Sequence, residues 1–255
     1  MLYLNDRIVE FGSFPNGEFN LPIKDLIIKA EKNHVKFVYE DNTDLVKLLI
    51  LRGWLGDMTK DMKSILSFSY LPYSRMDRAN GHYAPSLRYI SGFINSLGFS
   101  KVILRDPHSD ISLKLIANSE SFDWCKNKLE DAMFRGDFTS VHYPDDGAKN
   151  RFSIPGKLPL SNGKKIRDFL TGQITSTEIT GEVTNRVLIV DDMCSKGGTF
   201  VNAAKLLKSK GAIHIGLLVA YCEDTVLTGE LFDYIDVLYT STDCKVDHPR
   251  IIKFN

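Results

Sequence analysis

Two adjacent carboxylates, Asp191 and Asp192, end the apolar run of the stretch VLIVDDMCSKGGTF, residues 187–200. A glycine pair, Gly197 and Gly198, follows before a helical pattern begins. The backbone N–H groups of such a glycine turn and of a helix start bind anions such as phosphate. Carboxylates repel an anion but accept hydrogen bonds from hydroxyl groups. A sugar phosphate carries both kinds of group, so this stretch is predicted to bind one.

The contacts predicted for this stretch divide into two sets, with the acid pair facing sugar hydroxyls and the turn holding the phosphate. The predicted site residues are Asp191, Asp192, Ser195, Lys196, Gly197, Gly198 and Thr199. The spacing differs from GxxxxGK[ST] and from GxGxxG, so the stretch is neither a P-loop nor a dinucleotide fingerprint.

Two other segments place charged side chains directly after predicted strands. Arg75 and Arg78 flank Asp77, and two guanidinium groups at such a position suit polyphosphate oxygens, although a solvated turn has the same pattern. His108 lies two residues after Asp106. It is a candidate ligand of a divalent metal ion, but a lone histidine is more often a hydrogen-bonded structural residue.

Two further segments are uninformative by themselves. FPNGEF, residues 14–19, is typical of a turn between strands. The basic tract GKKIRDF, residues 163–169, is as typical of a solvated loop as of a phosphate-binding one.

The elements that must position these residues alternate along the chain, with short apolar runs separated by amphipathic helical segments. This pattern predicts an α/β fold. Strands are predicted at 34–40, 64–71, 101–106, 139–143, 186–192, 214–221 and 235–240, and helices at 86–97 and 199–210. The charged residues 118–137 are the predicted hinge between two halves, and residues 153–184 are predicted to form hairpins or loops.

Composition narrows the class of protein. The 255 residues include 32 Lys and Arg and 32 Asp and Glu, so no net charge attracts nucleic acid or a membrane surface. The four cysteines form no CxxC pair, which is typical of reduced thiols in a cytoplasm. The chain start lacks the apolar core of a signal peptide, and no apolar run is long enough to span a bilayer. The prediction is a cytoplasmic protein that binds neither nucleic acid nor membrane.

Five segments together resemble one family. The stretch 187–200 resembles the ribose-5-phosphate loop of the type I phosphoribosyltransferase fold. FPNGEF, YLPYSRMDRA (70–79), RDPHSD (105–110) and YPDDGAKNR (143–151) resemble, in the same order, segments of phosphoribosyl pyrophosphate synthetase, also called ribose-phosphate pyrophosphokinase. The resemblance covers nearly the whole chain.

The resemblance implies an α/β fold of two tandem phosphoribosyltransferase-like domains, each a mainly parallel sheet flanked by helices. Residues 1–135 would form an ATP-binding domain and residues 136–244 a ribose-5-phosphate-binding domain. The final residues, 245–255, would pack back on the first domain.

The resemblance also implies roles for residues outside the acid pair and its turn. The implied ATP contacts are Phe14, Asn16, Glu18, Arg75, Asp77 and Arg78. The first three would reach a neighbouring subunit's ATP in a homo-oligomer. Asp106, His108 and Asp145 are the implied Mg²⁺ residues. Lys165 and Arg167, on a flexible loop, are the implied catalytic residues, which would neutralise charge on the bridging and leaving oxygens.

The chain departs from the family pattern at three places. Met76 stands where the family has glutamine. Ser195 and Lys196 replace an acid and a threonine in the phosphate turn, and residues 221–229 lack a histidine that the family carries after this strand.

The reaction implied is Mg²⁺-dependent transfer of the β,γ-diphosphate of ATP to the anomeric hydroxyl of ribose 5-phosphate, giving phosphoribosyl pyrophosphate and AMP for nucleotide biosynthesis. One alternative is the same chemistry on ADP-ribose, feeding NAD synthesis, because the added cation of Lys196 suits a diphosphate. A plain phosphoribosyltransferase would not need FPNGEF, RMDR or DPHS. A non-catalytic synthetase subunit would not need His108, Asp145, Lys165 or Arg167.

Overall fold

The computed structural model describes residues 1–29, 31–59, 63–79, 82–154, 156, 159–167 and 174–255. The chain divides into two compact domains, Met1–Phe122 and Asp123–Asn255. Each contains its own mainly parallel sheet with helices, which confirms the predicted α/β class. Within the described ranges, no helix is long and apolar enough to cross a membrane.

The sheet of the first domain has the strand order β2-β1-β5-β6-β7-β8, in which β5 to β8 are parallel and the first two strands are antiparallel. A separate hairpin pairs β3 with β4. The strands are β1 (Leu2–Leu4), β2 (Arg7–Ile8), β3 (Gly12–Ser13), β4 (Phe19–Asn20), β5 (Lys32–Phe37), β6 (Lys63–Phe68), β7 (Lys101–Arg105) and β8 (Ser119–Phe122). The helices are α1 (Thr43–Met58), α2 (Ser86–Ser96) and α3 (Asp110–Leu115).

The core of the first domain follows from residue alternation along its strands. Val102 and Leu104 of β7 are buried, and the alternating residues Lys101, Ile103 and Arg105 are less buried, as expected for a strand with one face on the core. Leu87 and Ile94 of α2 lie on one helix face and pack in the same apolar cluster. The predicted helical stripe of this segment is therefore confirmed.

The sheet of the second domain has the order β11-β10-β9-β12-β13-β14-β15, with all neighbours parallel except the β10–β11 hairpin. Its strands are β9 (Ser140–Tyr143), β10 (Leu160–Arg167), β11 (Ile174–Gly181), β12 (Arg186–Cys194), β13 (His214–Cys222), β14 (Val237–Ser241) and β15 (Ile251–Phe254). Its α-helices are α4 (Trp124–Gly136), α5 (Asp146–Phe152), α6 (Gly198–Ser209) and α7 (Leu231–Tyr234).

Strand β12 shows why this sheet needs cover on both faces. Val187 and Ile189 pack in one apolar cluster with residues of α6, whereas Leu188 and Val190 pack in another with residues of α4. Successive side chains of a strand point to opposite faces, so two separate cores cover the two sides of the sheet. The continuous apolar run before the acid pair is the sequence signature of this burial.

The structure corrects two predicted boundaries. The division of the chain comes at Phe122 rather than at residue 135, because Leu129 and Met133 of α4 pack with apolar residues of the second sheet. The final strand β15 pairs with β14, and Phe254 stacks on Tyr239 at 5.5 Å between ring centroids. Residues 245–255 therefore belong to the second domain and not to the first.

Candidate functional site

The predicted sugar-phosphate loop lies after the carboxyl end of β12, before helix α6. The strand continues through Cys194, beyond the acid pair that was predicted to end it. Gly197 caps the amino end of α6 with φ +84°, a conformation that residues with a side chain rarely adopt. A Cβ at Gly198 would meet no atom within 4 Å. The backbone at the start of α6 is therefore open to a ligand at Gly198.

The segment around Gly229 and Leu231 packs closely against this loop. A Cβ placed on Gly229 would lie 2.4 Å from the carbonyl oxygen of Lys196. A Cβ on Gly197 would lie 2.8 Å from Cδ1 of Leu231. The loop is thus packed tightly on one side and open on the other, which is the arrangement that a preformed anion site requires.

The acid pair is held by an arginine that the sequence analysis did not single out. Nη2 of Arg151 lies 3.0 Å from Oδ1 of Asp191 and 2.9 Å from Oδ1 of Asp192. Arg151 belongs to helix α5, and its side chain is 22% exposed. Oδ1 of Asp191 also accepts the backbone N–H of Asp192 at 2.9 Å.

Asp191 and Asp192 share a strongly charged environment. Burial raises the pKa of Asp191 well above its usual value, and the adjacent carboxylate of Asp192 adds to the rise. The Arg151 guanidinium acts in the opposite direction. The contact with Arg151 therefore favours the ionised form of the acid pair, which is the form that accepts hydrogen bonds from hydroxyls.

Ser195, in the predicted phosphate turn, is hydrogen-bonded to an acid. Its Oγ donates to Oε2 of Glu223 at 2.6 Å, and Oγ1 of Thr225 donates to the same oxygen at 3.1 Å. Glu223 follows β13, the neighbour of β12 in the sheet. The backbone N–H of Glu223 donates to the carbonyl of Cys194 at 2.9 Å, which joins the two strand ends.

Asp145, predicted to bind metal, lies after β9 on the other side of β12 in the sheet. Its Oδ1 accepts the backbone N–H of Ala148 at 3.0 Å and so caps the amino end of α5. The next residue, Asp146, accepts a hydrogen bond of 2.7 Å from Asn162 of β10. Helix α5 therefore carries Asp145 at its start and Arg151 in its last turn, fixed at one end by its cap.

The predicted catalytic residues Lys165 and Arg167 lie in β10 by their backbones, opposite Thr177 and Ile174 of β11. The register of the hairpin shifts between Ile166 and Arg167. Their side chains lie outside the described residues, and so do residues 168–173 of the predicted loop. The catalytic roles therefore stay predictions.

In the first domain, the segment FPNGEF forms the tip of the β3–β4 hairpin. The backbone N–H of Phe14 donates to the carbonyl of Glu18 at 2.8 Å, and Asn16 Oδ1 accepts the N–H of Glu18 at 3.2 Å. Gly17 has φ +88°. The Phe14 side chain is 53% exposed. The turn was expected from the residues, and the exposed ring is available to a ligand or a partner.

The other predicted ATP residues follow β6. Arg75 and Arg78 are exposed, and Arg78 Nε lies 3.9 Å from Oδ2 of the partly buried Asp77. The loop is tied to helix α2, because the N–H of Leu87 donates to the carbonyl of Met76 at 3.2 Å. Polyphosphate binding by these exposed guanidinium groups stays a prediction.

Asp106 and His108 follow β7, the parallel neighbour of β6. Since the carboxyl ends of parallel strands meet at one edge of a sheet, this segment and the arginine loop lie at the same edge. Asp106 is buried and has φ +37°. Among the described residues, no group of three or more His, Cys, Asp or Glu side chains is arranged to hold a metal ion. Mg²⁺ commonly uses one or two carboxylates together with substrate phosphates, so the metal roles stay predictions.

Comparison with known proteins agrees with this architecture. No protein-family model matches the chain. The chain is 28% identical over 215 residues to a ribose-phosphate pyrophosphokinase of Sulfolobus acidocaldarius, covering 80% of this chain and 72% of the relative. It is 28% identical over 232 residues to a ribose-phosphate pyrophosphokinase of Thermosipho africanus, covering 82% and 70%.

A solved structure shares the fold. The phosphoribosylpyrophosphate synthetase of Mycobacterium smegmatis matches with a TM-score of 0.78 and 18% identity, over 97% of this chain and 85% of that one. The fold class is therefore that of two phosphoribosyltransferase-like domains, as predicted. In sequence and in fold the chain is therefore similar to ribose-phosphate pyrophosphokinases.

Sequence reasoning missed Arg151 and Glu223. Arg151 is part of the segment YPDDGAKNR, but a single arginine in a charged segment does not indicate its partner. Glu223 carried a usable signal, since it directly follows the largely apolar strand β13, as the acid pair directly follows the apolar run 187–190. The partners of both residues are distant in sequence: Arg151 contacts Asp191 and Asp192, and Glu223 accepts a hydrogen bond from Ser195.

Proposed function

We propose that the protein is an ATP-dependent pyrophosphokinase that transfers the β,γ-diphosphate of ATP to the anomeric hydroxyl of a ribose 5-phosphate group, with release of AMP. The observation that carries this proposal is the acid pair Asp191–Asp192, held by Arg151 directly before the open glycine turn that starts α6. Few ligands other than a sugar phosphate need hydroxyl acceptors and an anion site so close together.

The acceptor contacts are proposed to lie in the second domain. Asp191 and Asp192 would accept hydrogen bonds from ribose hydroxyls. The phosphate would be bound by the turn residues Ser195, Lys196, Gly197, Gly198 and Thr199, mainly through backbone N–H groups. Fixing the sugar in this way orients its anomeric hydroxyl for attack, which supplies much of the rate acceleration in phosphoryl transfer.

The nucleotide contacts are proposed to lie in the first domain, with Phe14, Asn16 and Glu18 at the hairpin tip and the arginine loop at the sheet edge. The exposed Phe14 ring suits stacking on adenine from a neighbouring subunit of a homo-oligomer. Arg75 and Arg78 would bind phosphate oxygens.

Magnesium is the metal that this donor set suits. Asp106 and Asp145 are carboxylates at the carboxyl ends of strands, and hard oxygen ligands favour Mg²⁺ over softer metals. Asp106 and His108 of the first domain would hold Mg²⁺ bound to the polyphosphate, and Asp145 is the candidate metal ligand of the second domain. The ion supplies neutralisation of phosphate charge, and Lys165 and Arg167 would add to it as charge moves to the leaving oxygen.

The direct test is the formation of AMP from ATP in the presence of ribose 5-phosphate and Mg²⁺, with the diphosphorylated sugar identified by mass spectrometry. EDTA should abolish the reaction, and added Mg²⁺ should restore it. Omission of the acceptor separates diphosphate transfer from ATP hydrolysis. Formation of ADP in place of AMP would contradict the proposal, because it indicates transfer of a single phosphoryl group.

One observation favours ADP-ribose as a second candidate acceptor. The Ser195 hydroxyl donates to Glu223, so its proton is used within the protein and a carboxylate lies beside the phosphate turn. A phosphate monoester carries up to two negative charges at neutral pH, whereas each phosphate of the ADP-ribose diphosphate carries one. A neighbouring carboxylate therefore disfavours the monoester more. The exposed cation of Lys196 would suit the second phosphate.

A competition experiment decides between the two acceptors. Both are supplied at equal concentration with ATP, and the two products are quantified. Predominance of the ADP-ribose product would make this chain an ADP-ribose pyrophosphate synthetase. If Glu223 causes the discrimination, Glu223→Gln should improve kcat/KM for ribose 5-phosphate several-fold more than for ADP-ribose. An equal change for both acceptors would remove Glu223 from the explanation.

A further inference from the structure

The proposed acceptor site has an electrostatic problem. Asp191, Asp192 and Glu223 place three carboxylates around a turn that is proposed to bind a phosphate group. These negative charges repel one another, and the burial of Asp192, which is 6% exposed, reduces screening by water. A site with this composition needs a cation that remains close to the acids.

Arg151 meets this need in the described part of the second domain. A single nitrogen, Nη2, donates to both acids, at 3.0 Å to Asp191 and 2.9 Å to Asp192. A guanidinium remains protonated at any physiological pH, so its charge is permanent. The side chain is mostly buried, so water screens its attraction to the two acids less than in an exposed pair.

The arginine is also held in place by its own helix. Asp145 caps the amino end of α5, and Asn162 fixes the neighbouring Asp146. The Arg151 guanidinium lies 5.3 Å from the ring centroid of Phe152, a buried residue of the domain core. A helix fixed at its start and packed at its end presents Arg151 to the acids in one orientation.

We propose that Arg151 is a positioning residue for the acceptor. It holds the carboxylates of Asp191 and Asp192 side by side and cancels part of their charge, so that hydroxyls and a phosphate can bind at adjacent positions. The inference rests on the proposed function but holds for either candidate acceptor. Arg151 acts through the acids and not on the reacting atoms.

The test is a double-mutant cycle on AMP formation with ribose 5-phosphate, or with ADP-ribose if that is the better acceptor. Arg151→Met should raise the acceptor KM about thirtyfold, because ionic hydrogen bonds to the acid pair are lost. The KM for ATP should change less than about twofold. Arg151→Lys keeps the charge but not the guanidinium geometry that places one nitrogen between the two acids, so it should recover part of the acceptor affinity.

The second arm of the cycle measures the coupling. Asp191→Asn removes one carboxylate charge and should raise the acceptor KM by itself. In the double variant Arg151→Met/Asp191→Asn, less charge is left unbalanced, so the combined KM change should be smaller than the product of the single changes. Multiplicative changes would overturn the charge-balancing role.

Lys149→Met is the matched control. Lys149 lies on the same helix, is exposed, and carries the same charge as Arg151. Its removal should leave both KM values unchanged. An equal effect of Lys149→Met would show that only the general field of α5 matters and would overturn the inference.

Thermal unfolding of every variant separates this role from simple stabilisation. A loss of kcat and of stability in Arg151→Lys, with unchanged acceptor KM, would show that Arg151 is merely structural. If Arg151→Met does not fold, Arg151→Lys and the pair Arg151→Lys/Asp191→Asn complete the same cycle. Absence of AMP from the unaltered protein with both acceptors would instead contradict the proposed function, so the two failures are distinguishable.

Discussion

The loops proposed to bind the nucleotide in the first domain present exposed side chains, whereas the loop after β12 in the second domain is fixed by contacts within the protein. Phe14, Arg75 and Arg78 are exposed at a hairpin tip and in a loop. The acid pair of the second domain is clamped by Arg151, and its glycine turn is packed from behind. A preformed site binds at a lower entropic cost. The proposed acceptor site is thus more preformed than the proposed nucleotide site.

Each of the two sheets contains a histidine that contacts a serine on a neighbouring parallel strand. In the first, His34 Nε2 lies 2.7 Å from Ser67 Oγ, across the parallel pair β5–β6. In the second, His142 Nδ1 lies 3.0 Å from Ser161 Oγ, across the parallel pair β9–β10. Burial differs, since His142 is 1% exposed and His34 is only partly buried. The second sheet should therefore respond more strongly to acid.

The largest predicted effect is the loss of stability of the second domain in acid. Burial lowers the pKa of His142 to about 4, from an unfolded value of about 6.5. Between these two values the unfolded chain binds a proton that the folded domain does not bind, so stability falls as the pH falls through this window. The full loss is roughly 3 kcal/mol. His142→Asn should remove this pH dependence.

The measurement can follow each domain separately, because the chain has two tryptophans, Trp54 in α1 and Trp124 in α4. Urea unfolding of Trp54→Phe, monitored by fluorescence, reports on the second domain, and Trp124→Phe reports on the first. Burial also lowers the pKa of His34, so His34→Asn is the matched control. Equal acid sensitivity of the two domains would contradict the prediction.

The next effect concerns the hairpin β10–β11. Lys165 and Arg167 are predicted to stabilise charge that develops in the transition state, so their alanine variants should lose about a hundredfold in kcat, with little change in either KM. The measurement is steady-state AMP formation at saturating ATP and acceptor. Lys164→Ala is the control, since Lys164 is exposed in the same strand and has no predicted catalytic role. A change confined to KM would assign the tract to binding.

The success of sequence analysis in this chain depended on whether a signal was local. Strand β12, its glycine turn and α6 were predicted because apolar run, acids, glycines and helix follow one another directly. Helix α1 was missed because its sequence, TDLVKLLILRGWLGDM, has apolar residues around most of its circumference and shows no stripe. The segment of helix α4 was predicted to be a hinge because it is rich in charged residues, although its Leu129, Ala132 and Met133 are buried.

The residues of the candidate site also differ in whether their sequence signal is local. Asp191 and Asp192 could be proposed as site residues from the sequence, because the apolar run and the glycine turn that indicate their role are adjacent to them. Arg151 contacts them from 40 and 41 positions away, and Ser195 is bonded to Glu223 across 28 positions. Such pairs depend on which strands are neighbours in the sheet, and a single sequence does not contain that information.

The glycine turn gives a moderate effect that separates folding from ligand binding. Gly198→Ala adds a methyl group where no atom lies within 4 Å, so stability should be unchanged. If the phosphate binds on this backbone, the methyl group should raise the acceptor KM about tenfold. Gly197→Ala should also lower stability, because φ is +84° and Leu231 is 2.8 Å away. Unchanged acceptor KM in Gly198→Ala would place the phosphate elsewhere.

The smallest predicted effect concerns the exposed ring of the first domain. Phe14 is 53% exposed, so Phe14→Ala should leave thermal stability unchanged. If the ring stacks on adenine, its removal should raise the KM for ATP about fivefold, because one aromatic contact contributes on the order of 1 kcal/mol. The acceptor KM should stay the same, since the acid pair and glycine turn lie in the other domain.

Phe134→Ala is the matched control for Phe14→Ala, because Phe134 is 89% exposed on α4 and has no predicted ligand role. The contribution of a neighbouring subunit is tested by mixing inactive Arg75→Ala chains with Phe14→Ala chains. If the Phe14 ring serves a partner's ATP, mixed oligomers contain sites in which Phe14 of one chain and Arg75 of the other are both intact. The ATP KM of the mixture should then fall toward that of the unaltered protein. A KM that remains at the value of Phe14→Ala alone would show that the hairpin tip serves only its own chain.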